Sequence, residues 1–189
     1  MAEKMHFQTL VDLLKPAVLE AGAAIMRVYE KAPEAHLKGD GSPVTEADQA
    51  AEAILLPALQ DAAPDIPIIS EEDAESHKLA APDSFFLVDP LDGTREVLKR
   101  DGKGSFTGNI GLIQNGVPMF GMVYAPALDR FFVGADGMGA FENDDEIKVR
   151  RIPPAGPVAV ASVSHRDDTT NAWLAENNIT QTVAIGSSL

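Results

Sequence analysis

The chain contains no cysteine. This excludes a disulfide framework, catalysis by a thiolate and a zinc site built on thiolates, and it fits a reducing cytoplasm. No apolar run approaches the roughly 20 residues that a membrane-spanning helix needs. The first residues also lack the charged and then apolar pattern of a signal peptide. The sequence therefore predicts a cytoplasmic protein without a transmembrane segment.

Basic residues are scarce as well. Lysine and arginine total 15 against 29 acidic residues, which gives a net charge of −14. That balance argues against binding a nucleic-acid polymer or an anionic membrane through a basic face. With 189 residues, 45% of them hydrophobic, the chain can form a sizeable core. We expect one large domain, or one domain and part of a second.

The most informative stretch runs from residue 85 to residue 95. It begins with four apolar residues at 85–88, which predict a short buried strand. Because Pro90 cannot donate a hydrogen bond to a sheet, the strand is expected to end at Asp89. Asp92 is a residue type favoured as a helix N-cap, so a helix should follow it.

Gly93 and Thr94 would then open that helix with unbonded backbone N–H groups, a typical phosphate-binding arrangement. Asp89 and Asp92 would repel a phosphate unless cations lay between them. The residues thus indicate divalent metals held by carboxylates, with a phosphoryl group beside them. The spacing of the two aspartates alone favours a simpler interpretation. In that interpretation the residues form a strand, a proline turn and a helix cap, and they have no catalytic role. The full run favours the metal site.

A second acidic group follows another predicted strand, at residues 66–69. Residues 70–73 are a serine and three acidic residues, and such a run is usually a solvated loop. It lies, however, at the carboxyl end of a strand, where α/β proteins tend to bind ligands. If the two strands are neighbours, Glu71 could meet Asp89 and Asp92. His77, further along, is expected to be exposed and not a ligand.

The sequence leaves two interpretations of Asp48 open, a structural cap and a role at the candidate site. Thr45 is a candidate N-cap of a helix reaching about residue 60, and Asp48 stands three positions later as its capping-box partner. That cap alone would explain the residue. A basic cluster has a similar ambiguity, either a solvated helix face or a loop that steers an anionic substrate. The cluster comprises Arg95, Lys99, Arg100 and Lys103.

The remaining pattern predicts the other elements. A helix over 6–30 should kink or restart at Pro16, and residues 31–43 should form a loop. Strands are predicted at 106–113, 117–124, 130–133, 140–141 and 147–149. A proline-rich linker at 153–157 should separate an N-terminal α+β domain at 1–152 from a partial α/β domain at 158–189. In that part we expect strands at 158–163 and 181–185 and a helix at 169–176, with Trp173 as a packing residue.

These motifs resemble those of the lithium-sensitive, magnesium-dependent phosphatase superfamily of inositol monophosphatase and bisphosphate nucleotidase. The matching segments are 43–48, 70–72, 89–94 and 137–141. Segments 92–96 and 109–113 look more like the bacterial CysQ branch, which acts on 3′-phosphoadenosine 5′-phosphate. Where this chain has Arg95 and Glu96, inositol monophosphatases more often have a Thr-Asn pair. The resemblance implies a layered α-β-α-β fold whose second α/β domain is incomplete here.

The resemblance also implies roles for the site residues. Glu71, Asp89 and the Leu91 carbonyl would hold a first Mg²⁺, Asp89 and Asp92 a second, and Glu71 would help to hold a third. Thr94, oriented by Asp48, would activate the attacking water. The N–H groups of Gly93 and Thr94 would hold phosphate oxygens.

The family continues beyond the match, through a helix that begins near 187–189 and a later Trp-Asp motif. The resemblance therefore predicts a truncated member with weak metal retention at the second site. Exposed sheet edge and apolar surface could allow association, as a homodimer or an aggregate. Two alternatives to the nucleotidase stay open: an inositol monophosphatase activity, and a non-catalytic fragment that binds metal or phosphate. A calcium-binding module is disfavoured because no loop has the ligand spacing.

Overall fold

The computed structural model describes residues 6–31, 36–37, 43–78, 82–100, 102, 104–162 and 166–185. Residues 32–35 and 38–42 of the loop predicted at 31–43 lie outside the described residues, as do Lys103 and the segment 186–189. The helices are α1 (Phe7–Glu30), α2 (Glu46–Ala62), α3 (Thr94–Lys99) and α4 (Asp168–Glu176). The first strands are β1 (His36–Leu37), β2 (Pro43–Val44), β3 (Ile68–Ser70), β4 (Ser84–Asp92), β5 (Thr107–Gln114) and β6 (Val117–Ala125). The later strands are β7 (Arg130–Ala135), β8 (Gly139–Glu142), β9 (Asp145–Ile147), β10 (Val158–Ser162) and β11 (Gln181–Ile185).

A seven-stranded sheet forms the centre of the fold. Its order follows the chain from β3 to β9. The pair β3–β4 is parallel, and each later neighbour is antiparallel. Short turns join the strands from β5 to β9, as the turn residues between the predicted strands indicated, whereas α3 lies between β4 and β5. The predicted mixed α/β fold is confirmed.

The helices α1 and α2 cover the sheet and form the main core with it. In α1, Leu10, Leu14, Val18 and Ile25 recur at helical spacing and are almost fully buried. They pack in one cluster with α2 and with sheet residues such as Phe86. The helix passes through Pro16 without interruption, so the predicted restart there was wrong. Pro16 is exposed, and water can satisfy the carbonyl that loses its helical partner.

Gly22 of α1 lies against a tyrosine of the sheet, and this contact gives a prediction. A Cβ at this position would lie 2.3 Å from Cε1 of Tyr124 and 3.1 Å from Cβ of Pro126. Alanine normally favours a helix by about 1 kcal/mol over glycine. We nevertheless expect Gly22→Ala to lower the free energy of unfolding by about 1–3 kcal/mol, because the ring must move. Urea denaturation measures the change, and an unchanged or raised unfolding free energy would contradict it.

The C-terminal residues form a small β-α-β unit. Strands β10 and β11 are parallel, with Val160 opposite Val183. Asp167 caps α4 by accepting a hydrogen bond from the Thr170 N–H at 2.8 Å. Trp173 is 56% exposed, so its predicted packing role was wrong; Leu174 is the buried residue of this helix. Residues 148–157 belong to no helix or strand. The division into two domains at this segment remains a prediction.

Two further features bear on the sequence predictions. The segment predicted as a loop at 31–43 contains β1 and the first residue of β2, which pair as a short antiparallel ladder. Among the described helices, none combines the length and the apolar character that crossing a bilayer requires.

Candidate active site

The parallel pair β3–β4 brings the two acidic segments side by side. Ser70 at the end of β3 pairs with Val88 of β4. The ladder continues one step further, because the Glu71 N–H donates to the Val88 carbonyl at 2.8 Å. Glu71 therefore follows its strand at the level where Asp89 follows Val88. The sequence predicted this neighbourhood, and the strand pairing provides it.

The end of β4 differs from the prediction. The strand does not stop at Asp89 but continues to Asp92, with a shift in register. Asp89 pairs with Asn109 and Asp92 pairs with Thr107, so β4 contains one more residue than β5 over this interval. Such a bulge leaves the extra residue without a ladder bond. Proline has no N–H to donate, and Pro90 is tolerated in the bulge because the ladder needs no donor there.

The N-cap of α3 is also different from the predicted one. The position belongs to Gly93, with φ 94° and ψ 31°, and no side chain caps this helix. Asp92 lies in the strand, one residue before the cap. A Cβ on Gly93 would lie 2.8 Å from the Ser105 carbonyl oxygen, in addition to the strain of a positive φ. The chain turns into α3 here only because this residue is glycine.

Asp89 is the electrostatic centre of the site. Burial raises its pKa to about 7, from 3.8, and the negative charges of Asp92, Glu71 and Asp48 act in the same direction. The Leu91 N–H donates to Oδ1 of Asp89 at 3.2 Å and opposes the rise. Four carboxylates thus lie close enough for their charges to interact. They would repel one another less with a cation among them.

The carboxylates are neighbours but do not form a closed ligand shell. Among the residues that the structure describes, no three acidic, histidine or cysteine side chains are close enough together to hold a metal ion as they stand. Glu71 is exposed and Asp92 is half-buried, so packing does not lock either side chain in one rotamer.

Asp48 completes the cap of α2, as its sequence position suggested, and bonds to Thr94, as the family resemblance implied. Its Oδ2 accepts hydrogen bonds from the N–H and the hydroxyl of Thr45, each at 2.8 Å, and completes the cap of α2. Its Oδ1 accepts a hydrogen bond from the Thr94 hydroxyl at 3.1 Å. Asp48 is only 1% exposed. A buried carboxylate therefore holds the Thr94 hydroxyl at the edge of the acidic cluster, where the Leu91 carbonyl lies 3.3 Å from the same hydroxyl.

The predicted basic cluster is partly engaged in structural contacts. Lys99 lies 3.4 Å from a carboxylate oxygen of Glu96. The Arg100 guanidinium donates to the Glu30 carbonyl at 3.2 Å and lies 5.8 Å from the centre of the Tyr29 ring. A steering role for this cluster remains a prediction.

Sequence reasoning missed one contact near the acidic cluster. His77 is exposed, as predicted, but it lines the same groove as Glu71 and Asp89. Its Nε2 lies 2.7 Å from the Ser70 carbonyl oxygen. No local pattern signals this bond, because it depends on how the segment after β3 turns back.

The chain is similar to known proteins in sequence and in fold. A family model described as the inositol monophosphatase family matches residues 7–188. The 3′(2′),5′-bisphosphate nucleotidase CysQ of Salmonella typhimurium is 44% identical over 175 residues, which are 89% of this chain and 70% of that protein. An inositol-1-monophosphatase from Synechocystis is 35% identical over 143 residues, which are 75% of this chain and 49% of that protein.

Among solved structures, the chain is similar to CysQ from Bacteroides thetaiotaomicron, a bacterial member of the inositol monophosphatase family. The TM-score is 0.70 and the identity 30%, over 96% of this chain and 73% of that one. The match of the family model covers nearly the whole chain and includes every residue of the acidic cluster. The chain therefore belongs to the inositol monophosphatase family.

Proposed function

We propose that this protein is a Mg²⁺-dependent 3′(2′),5′-bisphosphate nucleotidase, which removes the 3′-phosphate of 3′-phosphoadenosine 5′-phosphate and yields AMP. The observation that carries the proposal is the bond from the Thr94 hydroxyl to the buried carboxylate of Asp48, beside a cluster of three further carboxylates. The similarity to CysQ proteins favours the nucleotide over an inositol phosphate as the substrate.

By their chemistry the residues of the cluster suit Mg²⁺, and the proposal is that they hold two or three such ions. Carboxylate and carbonyl oxygens are the ligands that this hard cation prefers. Glu71, Asp89 and the Leu91 carbonyl would hold one ion, Asp89 and Asp92 a second, and Glu71 would contribute to a third. The raised pKa of Asp89 fits this assignment, because positive charge would relieve the repulsion that Asp92 and Glu71 impose on it. Bound Mg²⁺ supplies Lewis acidity and neutralises the charge that develops on the phosphoryl oxygens.

Thr94 and Asp48 would move the proton of the attacking water. The Thr94 oxygen accepts a hydrogen bond from that water while its own hydrogen points to Oδ1 of Asp48. As the water oxygen bonds to phosphorus, its proton passes to Thr94 and the hydroxyl proton passes to Asp48. The bond from phosphorus to the 3′-oxygen breaks, and a solvent proton neutralises the leaving oxygen. Direct displacement of this kind needs no covalent intermediate on the enzyme.

The start of α3 would hold the phosphate. The first helical hydrogen bonds run from the N–H groups of Glu96 and Val97 to the Gly93 carbonyl. The N–H groups of Gly93 and Thr94 precede these bonds and would donate to phosphoryl oxygens. The left-handed conformation of Gly93 sets the direction of both.

A phosphate-release assay tests the assignment. With Mg²⁺ present, we expect the chain to hydrolyse 3′-phosphoadenosine 5′-phosphate with a higher kcat/KM than inositol 1-phosphate. Chelation of the metal should abolish release from both. A preference for the inositol ester would instead identify an inositol monophosphatase. Stabilisation by Mg²⁺ without any release would identify a fragment that only binds metal.

A further inference from the structure

We propose that His77 is a positioning residue, which fixes the peptide unit from which Glu71 projects. This inference rests on the proposed role of Glu71 as a ligand of Mg²⁺. Both polar groups of that peptide unit are hydrogen-bonded. The Glu71 N–H donates to the Val88 carbonyl at 2.8 Å, and the Ser70 carbonyl oxygen lies 2.7 Å from Nε2 of His77.

The direction of the bond from His77 follows from its partner. A carbonyl oxygen can only accept a hydrogen bond, so Nε2 of His77 carries the hydrogen. The peptide plane is therefore held from the sheet on one side and from His77 on the other. Since this plane sets the direction in which the Glu71 side chain leaves the backbone, its rotation would move the carboxylate away from Asp89.

The residue before Glu71 is fixed by other groups. The Ser70 hydroxyl donates to Oε1 of Glu52 in α2 at 2.5 Å, and the Ser70 N–H donates to the Ser76 hydroxyl at 3.1 Å. Ser70 itself is 1% exposed. The segment after it is more exposed, except for Ser76, which is buried. Within that stretch, Ser76 and His77 bond back to Ser70 and close the turn.

Other bonds to the Ser70 carbonyl are longer. The Asp73 N–H lies 3.2 Å away, and so does the Ser76 hydroxyl, which is closer to the Asp73 carbonyl at 2.6 Å. His77 provides the shortest contact to this oxygen. Groups that orient the ligands of a metal typically change its affinity by 10- to 100-fold when they are removed. Because His77 is exposed, we expect an effect near the lower end of that range.

Two variants of the full chain separate a hydrogen bond from a mere packing role. His77→Phe keeps a ring but removes the donor, whereas His77→Gln keeps an N–H at a similar reach. Lys78→Gln is the matched control, because it removes an exposed ion pair with Glu75 in the same turn and leaves Ser70 untouched. The first measurement is the Mg²⁺ concentration that gives half of the maximal thermal stabilisation. The second is hydrogen exchange of the Asp73 and Ser76 amides in the metal-free protein.

We expect His77→Phe to raise the Mg²⁺ midpoint about tenfold and to accelerate both amides at least threefold. His77→Gln and Lys78→Gln should stay within twofold of wild type in both measurements. A wild-type midpoint in His77→Phe would overturn the proposal. An equal loss in His77→Gln would overturn it too, because the imidazole itself would then be what the metal needs. If Mg²⁺ does not stabilise even the wild type, the proposed function fails, and with it the metal role of His77. Amide exchange in metal-free His77→Phe would still show whether His77 holds the peptide.

Discussion

Replacement of Asp89 by asparagine, Asp89→Asn, should reduce Mg²⁺-dependent phosphate release by at least about a hundredfold. Loss of a group that merely orients a metal ligand already lowers metal affinity or activity by about 10- to 100-fold. Asp89 is proposed to contact two of the metal ions. Its amide replacement keeps the shape of the side chain but removes the charge and one strong acceptor. The phosphate-release assay measures the loss, and the Mg²⁺-induced rise in Tm measures metal binding independently of turnover.

The same variant should be more stable than wild type when no metal is present at pH 8. The folded protein holds the pKa of Asp89 at about 7, against an ordinary value of 3.8. Between those pH values the folded state binds more protons than the unfolded state, so the stability of the wild type falls as the pH rises. Asparagine cannot ionise and avoids this loss. We expect the metal-free variant to have the higher Tm at pH 8 and a similar Tm near pH 4.

Asp136→Asn is the matched control, because it makes the same chemical change at an exposed position after β7. It should leave both turnover and the response to Mg²⁺ unchanged. Two results would count against the site: turnover of Asp89→Asn within twofold of wild type, or a metal-free Tm at pH 8 no higher than that of wild type.

Most of the fold follows from local patterns in the sequence. The predicted strand at 181–185 coincides with β11, and the predicted helix at 169–176 differs from α4 by one residue. Such segments are bounded by turn residues whose effect does not depend on distant parts of the chain. The two-residue ladder of β1 and β2 was missed because two residues carry no periodicity.

The errors occur where one element depends on another. The sequence placed the end of β4 at Asp89 because proline disrupts a regular ladder, but pairing with β5 allows a bulge that accommodates Pro90. The shift moved Asp92 out of the cap position. The exposure of Trp173 likewise depends on what packs against α4, which its own sequence cannot specify.

The candidate site was predictable in part for a similar reason. The residue types at 89–94 indicated metals and phosphate without any structure. The cap formed by Asp48 could be predicted from neighbouring residues of the sequence. Its bond to Thr94 could not, because it joins residues 46 positions apart. Only the resemblance to the family predicted that bond. The contact of His77 with Ser70 had no signal of either kind.

Removal of the hydroxyl in Thr94→Val should lower kcat by about 10²- to 10⁴-fold, the range that a positioned proton-transfer group contributes. Valine has nearly the shape of threonine, so the backbone of α3 should be kept. The change leaves Oδ1 of Asp48 without the donor at 3.1 Å, and we expect a loss of about 1–3 kcal/mol in unfolding free energy. Thr94→Ser retains the hydroxyl and should recover most of the activity.

The other oxygen of Asp48 provides a matched control. Thr45→Val makes the same substitution against Oδ2, where the Thr45 hydroxyl donates at 2.8 Å and caps α2 through the Ala47 N–H. It should cost about 1 kcal/mol in stability, as loss of an N-cap does, and change kcat by less than tenfold. Both variants remove a threonine hydroxyl from one buried carboxylate, so both should lose stability while their activities diverge. Equal activities would mean that Asp48 serves the fold alone, and that the proton of the attacking water leaves by another route.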